Sequence, residues 1–295
     1  MRIDPKELSQ PKLHGYLLGV IAPRPIAWAS TIDQEGKVNL APYSFFNVFS
    51  SNPATLILSP ALPRNGQMKH TLTNVKETGE LVVNIVSYPV VEQMSLSSTA
   101  YPKGVNEFIK AGLTEEASEL VTPPRVKESI ASFECKLREV IHLGTDPGAG
   151  NLILCDVVLG HIADHILDEN QMPDPFRADL VGRMGGDWYA RAKGEAIFKL
   201  PKPNRNLGIG VDQIPDVIRN SSVLTGNNLG RLGNIEKMPE SSAVKAFGES
   251  NEMKEIQSHF IDDSDSYINR IHELAQEYLE NNDLEKAWLT LLQTL

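Results

Sequence analysis

Six short runs rich in Val, Ile, Phe, Leu and Thr, at 26–32, 38–46, 55–59, 81–86, 132–142 and 152–161, dominate the first two thirds of the chain. Gly, Pro or Asn bounds each run, and no regular series of long helices alternates with them. Such residues suit a pleated surface, and such breaks end strands. The spacing predicts an antiparallel, mainly β barrel with short inserted helices and argues against a doubly wound parallel sheet. "DQEGKV" at 33–38 reads as a hairpin turn in which Gly36 supplies a positive φ, and "TDPGAGN" at 145–151 as a second turn. "KHTLTNVKETG" at 69–79 predicts a helix with Thr71 as its cap and Gly79 as its stop, and 90–98 a shorter one.

Beyond about residue 200 the text changes. The stretch 201–220, rich in Pro, Gly and Asn, reads as a winding surface segment. Two amphipathic helices then close the chain. One carries Tyr267, Ile268, Ile271, Leu274, Ala275, Tyr278 and Leu279 on a single stripe, the other Leu284, Ala287, Trp288, Leu291 and Leu292. "ENND" between them makes an αα-hairpin with Asp283 as the cap of its second helix. The pair faintly resembles one tetratricopeptide-type unit, and a packing or dimerisation tail is the reading adopted. The expected division is 1–203 for the β domain and 204–295 for the helical extension.

Charge follows the same division. The formal net charge is −10, and residues 240–295, with twelve acids and four bases, hold most of it. The near-neutral remainder offers no basic surface to a nucleic-acid backbone, so no nucleic-acid partner is expected. No apolar run approaches the ~20 residues that cross a bilayer, and the N-terminal text lacks the apolar core of a secretory signal. With Cys135 and Cys155 in no paired motif, a reduced cytoplasmic setting with no membrane partner is expected.

Most sequence signatures of chemistry are missing. The chain holds no G-x-S-x-G, H-E-x-x-H, C-x-x-C or P-loop, and its two Gly-x-Gly triplets lack a third glycine. "HIADH" at 161–165 would place two histidines on one helix face, but no third metal ligand is evident, so satisfied or surface histidines are expected. A phosphate-bearing organic ligand is one reading of the residues that follow. It stands beside an ordinary capped helix at 68–71 and a core strand with a proline bulge at 39–47, which composition alone favours. Such a ligand needs hydroxyls, a base and main-chain N–H groups at a helix start. "AST" at 29–31 and "MKHT" at 68–71 supply them through Ser30, Thr31, Lys69 and Thr71, with Arg24 converging from nearby. A flat heteroaromatic ring needs an apolar slot with main-chain groups along its edge. "NLAPYSFFN" at 39–47 suits it, because Pro42 interrupts a hydrogen-bond ladder, Ala41 leaves room and Ser44 adds a hydroxyl.

Together, "APRPIAWAST", "NLAPYSFFN" and "KHTLTNVKETGELVVNIVS" resemble the flavin reductase-like, FMN-binding split-barrel family, more narrowly the flavoredoxin and nitrilotriacetate monooxygenase component B group. "NEFIKAGLT" at 106–114 and "GRMGGDWYAR" at 182–191 extend the likeness over roughly residues 10 to 200. The phosphate motif in that family more often has Asp where His70 stands. The resemblance implies a six-stranded antiparallel Greek-key split barrel, a homodimer, and one FMN per subunit. The C-terminal α-helical extension beyond residue 200 is read from the residues and is not part of that family pattern. By that likeness the ring lies along Asn39, Leu40, Ala41, Pro42, Tyr43 and Ser44, and the phosphate meets Ser30, Thr31, Lys69 and Thr71. Ser59 and Asn84 are second-rank contacts, while Arg183 and Tyr189 line the ring or reach across the interface. No side-chain catalyst is implied, since the flavin carries the redox chemistry.

The leading expectation is an FMN oxidoreductase reduced by NADH or NADPH and serving a small-molecule acceptor or a redox partner protein. A non-catalytic flavoredoxin-like electron carrier is the alternative. A third possibility is a binding module that docks a basic partner on the acidic tail.

Overall fold

The computed structural model describes residues 1–63, 66, 68–200, 202–203, 207–261 and 263–295. The chain forms two compact units, Met1–Phe198 and Lys199–Leu295.

The first unit opens with helix α1 (Gln10–Val20). Its main strands are β1 (Ala27–Ile32), β2 (Val38–Tyr43), β3 (Phe46–Ser51), β4 (Ala54–Leu58) and β5 (Glu80–Ile85), with helix α2 (His70–Thr78) between the last two. Helices α3 (Val91–Leu96) and α4 (Glu107–Ala111) follow, then the short strands β6 (Glu115–Glu116) and β7 (Arg125–Val126). The long hairpin of β8 (Ala131–His142) and β9 (Asn151–Ile162), helix α5 (Pro175–Ala178) and the ribbon of β10 (Val181–Arg183) and β11 (Tyr189–Arg191) complete it.

One antiparallel sheet organises these elements, in the order β2-β1-β5-β8-β9-β4-β3. It has seven strands where six were expected, because the run 38–46 is not one strand. It breaks at Ser44–Phe45, and its halves occupy opposite edges of the sheet. Three residue steps from Tyr43 to Phe46 span at most about 11 Å, so the sheet must curl until its two edges approach at that corner. The Phe45 carbonyl there accepts the Ser59 N–H at 2.9 Å. Among the described residues β2 and β3 do not pair, and the barrel stays split rather than closed. As an edge strand, β3 leaves Val48 and Phe49 exposed.

Strand β1 is an unbroken apolar run because both its faces are covered. Ala27 and Ala29 pack with Leu56, Leu58, Leu81 and Val83, and with Leu72 and Val75 of α2. On the opposite face Trp28 packs with Leu40, Val90, Met94 and Phe108, under α3 and α4. Helix α2 stops at Gly79, whose φ of 73° is left-handed, as its sequence position predicts. The Gly36 turn has φ 81° and places Asp33 so that its carboxylate accepts the Glu35 and Lys37 N–H groups.

The second unit is helical: α6 (Asp216–Arg219), α7 (Gly226–Leu232), α8 (Ser241–Gly248), α9 (Asn251–His259), α10 (Ser264–Glu280) and α11 (Leu284–Leu291). The expected hairpin is α10 and α11, and Asp283 caps α11 by accepting the Lys286 N–H at 3.0 Å. Trp288 is buried in its core and donates from Nε1 to the Leu232 carbonyl at 3.2 Å. Within the stretch read as a surface segment, 201 and 204–206 lie outside the described residues. Ile214 and Ile218 of that stretch are fully buried in the same cluster as Trp288, so this part of it is core. Among the described residues no helix is long and apolar enough to cross a membrane.

Candidate functional site

A cavity of about 1050 Å³ opens in the first unit against the outer edge of β2. Sites for small organic molecules run to about 300–1,000 Å³, so this one can take a large ligand. Asn39, Ala41, Pro42, Tyr43 and Ser44 form one wall, and Lys69, His70 and Thr73 the start of α2. The hydroxyl-rich segment 97–103, Glu107, Ser59 and residues of α1 close the rest.

Helix α2 begins in an unusual way. Its N-cap position is Lys69, whose side chain has no oxygen to accept a first-turn N–H and makes no capping bond. Leu72 and Thr73 donate back to the Lys69 carbonyl, at 3.0 and 3.2 Å. Among the described residues the His70 and Thr71 N–H groups have no acceptor. Around this open end stand Lys69, His70 and Lys103, and only Lys103 has an ion-pair partner among the described residues, Asp33 at 3.4 Å. Burial, then the charges of Lys103 and Lys69, push the His70 imidazole below its ordinary pKa. A helix N-terminus in such a field attracts an anion.

Thr71, expected as the cap, is instead the second residue of α2. Its hydroxyl accepts from Asn39 Nδ2 at 3.0 Å and from the Tyr43 phenol at 2.9 Å, behind the cavity wall. Asn74 Nδ2, and more distantly Asn39 Nδ2, reach Thr31 Oγ1 at 3.1 and 3.5 Å, which ties α2 to β1 and β2. Burial pushes the Tyr43 phenol up to about 12, so it stays a neutral donor.

Strand β2 presents the second half of the site. Its inner edge pairs with β1, and the Leu40 N–H points outward to Glu107 Oε2 at 2.9 Å. Main-chain groups alternate along a strand, so Pro42, which lacks an N–H, also faces the open side. The edge therefore offers carbonyl oxygens beside the small Ala41.

The structure brings Asn39, Ala41, Pro42, Tyr43, Ser44, Ser59 and Lys69 together on the cavity. It places the remaining sequence candidates elsewhere. The Leu40 side chain is core, and only its main chain reaches the edge. The buried Ser30 hydroxyl donates to the Pro124 carbonyl. Asn84 is also buried, giving Nδ2 to the Trp28 carbonyl and receiving the Val126 N–H and the Ser132 hydroxyl on Oδ1. Arg24 does not line the cavity, although its Nε reaches the hydroxyl of Ser44 on the cavity wall at 3.5 Å. Its terminal nitrogens donate to the carbonyls of Leu18, Ile21 and Met184, at 3.0, 2.6 and 3.0 Å, and tie α1 to the loop after β10. Arg183 exchanges main-chain bonds with Arg24 and lies over the Tyr189 ring at 4.6 Å. His161 sits on β9 against Glu134 at 2.7 Å, and His165 in a separate turn, so the "HIADH" pair shares no helix face. No cluster able to hold a metal ion occurs among the described residues.

Sequence reading missed Lys103 and Glu107 as parts of the site. The Ser-Ser-Thr run at 97–99, between two short helices, was the available signal for the loop that carries Lys103.

The fit to a flavin nucleotide rests on these features: an uncapped, basic helix start for a phosphate and an open, small-residue strand edge for a flat ring. Comparison with known proteins agrees. The profile of the flavin reductase like domain matches residues 21–177. An uncharacterized protein of Aquifex aeolicus is 40% identical over 195 residues, covering 66% of this chain and 97% of its own length. Nitrilotriacetate monooxygenase component B from Bacillus cereus superimposes with a TM-score of 0.63 at 33% identity, over 68% of this chain and 98% of that one. A Shewanella frigidimarina protein with a split barrel domain gives 0.58 at 25% identity, over 68% and 99%. This chain is a member of the flavin reductase like family.

Proposed function

We propose that this protein is an FMN-dependent oxidoreductase that takes electrons from NADH or NADPH and passes them to a small-molecule acceptor or a redox partner protein. One observation carries the reading: a single cavity joins the uncapped start of α2, in its basic field, to the open edge of β2. Bound FMN would supply the two-electron chemistry that no side-chain constellation here supplies. Lys69, His70, Lys103 and the first amides of α2 would hold its phosphate. Ala41 and Pro42 would leave the floor low for the ring, and Tyr43, kept neutral, would brace that wall through Thr71.

The test is anaerobic mixing of the FMN-loaded protein with each nucleotide. The expected result is rapid bleaching of the flavin's visible absorbance by NADH or NADPH. Tight FMN binding with no bleaching by either would reject the reductase and leave an electron carrier. A homodimer is part of the proposal, supported by the apolar edge strand β3, which exposes Val48 and Phe49 and is a natural pairing surface. Light scattering of the holoprotein should return twice the chain mass, and a monomer mass would reject the dimer.

A further inference from the structure

The cavity is electrically lopsided. Its basic groups gather at the start of α2, whereas Glu107, the first residue of α4, brings a carboxyl group to the edge of β2. Glu107 is only 4% exposed, and it forms no ion pair among the described residues. Its carboxylate accepts the Leu40 N–H at 2.9 Å and is also stabilised by its own main-chain N–H. Burial holds its proton affinity above the ordinary carboxylate range, and neither Lys69, His70 nor Lys103 offsets this. The Tyr43 phenol of β2 is close enough for the Glu107 charge to raise its pKa further. Helix α3, which also packs on α4, carries Glu92, and that side chain faces solvent. His14 of α1 lies elsewhere on the cavity wall.

A buried carboxylate without a cation is costly, and it becomes more so when negative charge enters beside it. Resting on the FMN reading above, we propose that Glu107 is the proton-accepting group of this site: as two electrons enter the cavity, its carboxylate takes one proton from water and becomes a neutral carboxyl. The electrons come from a reduced nicotinamide or an added reductant, the proton comes from solvent, and no bond other than O–H forms. Glu107 thus offsets charge and positions β2, and it need not touch the reacting atoms.

A purely structural role, capping the Leu40 N–H, is separable from this one. Glu107→Gln keeps an acceptor oxygen for Leu40 and removes the charge, whereas Glu107→Leu removes both. The experiment is a dithionite titration of the FMN-loaded protein with redox mediators, repeated across the pH range in which it stays folded. In wild type the midpoint potential should fall more steeply, by one extra proton per two electrons, between the Glu107 pKa of the oxidised and of the reduced protein. In Glu107→Gln that steep segment should vanish. Above the window the variant should favour the reduced form at least about tenfold more than wild type, ~30 mV for a two-electron couple. Superimposable profiles would overturn the proposal. If the variant does not load FMN, the infrared difference spectrum of wild-type reduction decides. A new carboxylic-acid band that shifts with labelled glutamate supports the proposal, and its absence overturns it. Failure of wild type to bind FMN would instead overturn the cofactor reading on which the proposal stands.

Discussion

Lys69→Asp should abolish FMN retention while making the apoprotein more stable. The two effects follow from one position. Lys69 is the N-cap of α2, where an aspartate would accept the Thr71 N–H that now has no acceptor among the described residues. A good cap in place of none is worth about 1 kcal/mol, and a carboxylate also suits the positive end of the helix. For a unit of this size that raises Tm by roughly 2–4 °C. The same carboxylate would occupy the amides assigned to the phosphate and replace an attractive charge by a repulsive one. Losing one charge-assisted contact costs ~1.5–3 kcal/mol, so losing the contact and adding repulsion should weaken FMN at least about 100-fold. Differential scanning calorimetry of the apoprotein and fluorescence titration with FMN measure both. A variant that gains stability and still binds FMN like wild type would show that the start of α2 does not hold the phosphate.

Trp28→Ala should cost the first unit about 3–5 kcal/mol, a large share of the ~5–15 kcal/mol typical of a folded domain. Trp28 is completely buried on the outer face of β1, packed against Leu40, Met94 and Phe108. Its indole N–H donates to the Ser97 hydroxyl at 2.9 Å, and that hydroxyl donates to the Met94 carbonyl at 2.7 Å. Ser97 begins the segment that closes one side of the cavity, so the core and the site share this contact. The milder Trp28→Phe keeps most of the bulk and loses the hydrogen bond. It should cost about 1 kcal/mol of net bonding, beyond any packing loss, and should lower FMN affinity by loosening the 97–103 segment. Urea unfolding of both variants gives the stabilities. A Trp28→Ala midpoint close to wild type would contradict the packing described for this face.

Local pattern carried much of the fold and part of the site. The strands were legible because their β-branched runs are bounded by residues that end strands, and α10 and α11 because their stripes run for several turns. The break at Ser44–Phe45 was not, because it is imposed by the curl that brings the two sheet edges together, and nothing in "PYSFFNV" requires it. Helices α6 and α7 are too short to show a stripe, whereas α8 and α9, at least as long as α11, were not read from the sequence. Among candidate residues, Lys69, Ala41 and Pro42 were legible as neighbours on one cavity because their chemistry matches their position in an element. Ser30, Thr31 and Asn84 were read as ligand-facing hydroxyls and amides, yet the structure uses them to satisfy buried groups around β1 and the segment 124–132. Glu107 escaped notice for the opposite reason. A charged residue in an amphipathic text reads as surface, and only the tertiary approach of α4 to β2 buries it against the Leu40 N–H.

The most direct measurement is a crystal structure of the protein grown with FMN. Phosphate oxygens are expected within ~3 Å of the His70 and Thr71 main-chain nitrogens, with the ring lying beside Ala41 and Pro42. A flavin bound elsewhere, or a cavity filled by the protein's own side chains in the presence of FMN, would contradict that placement.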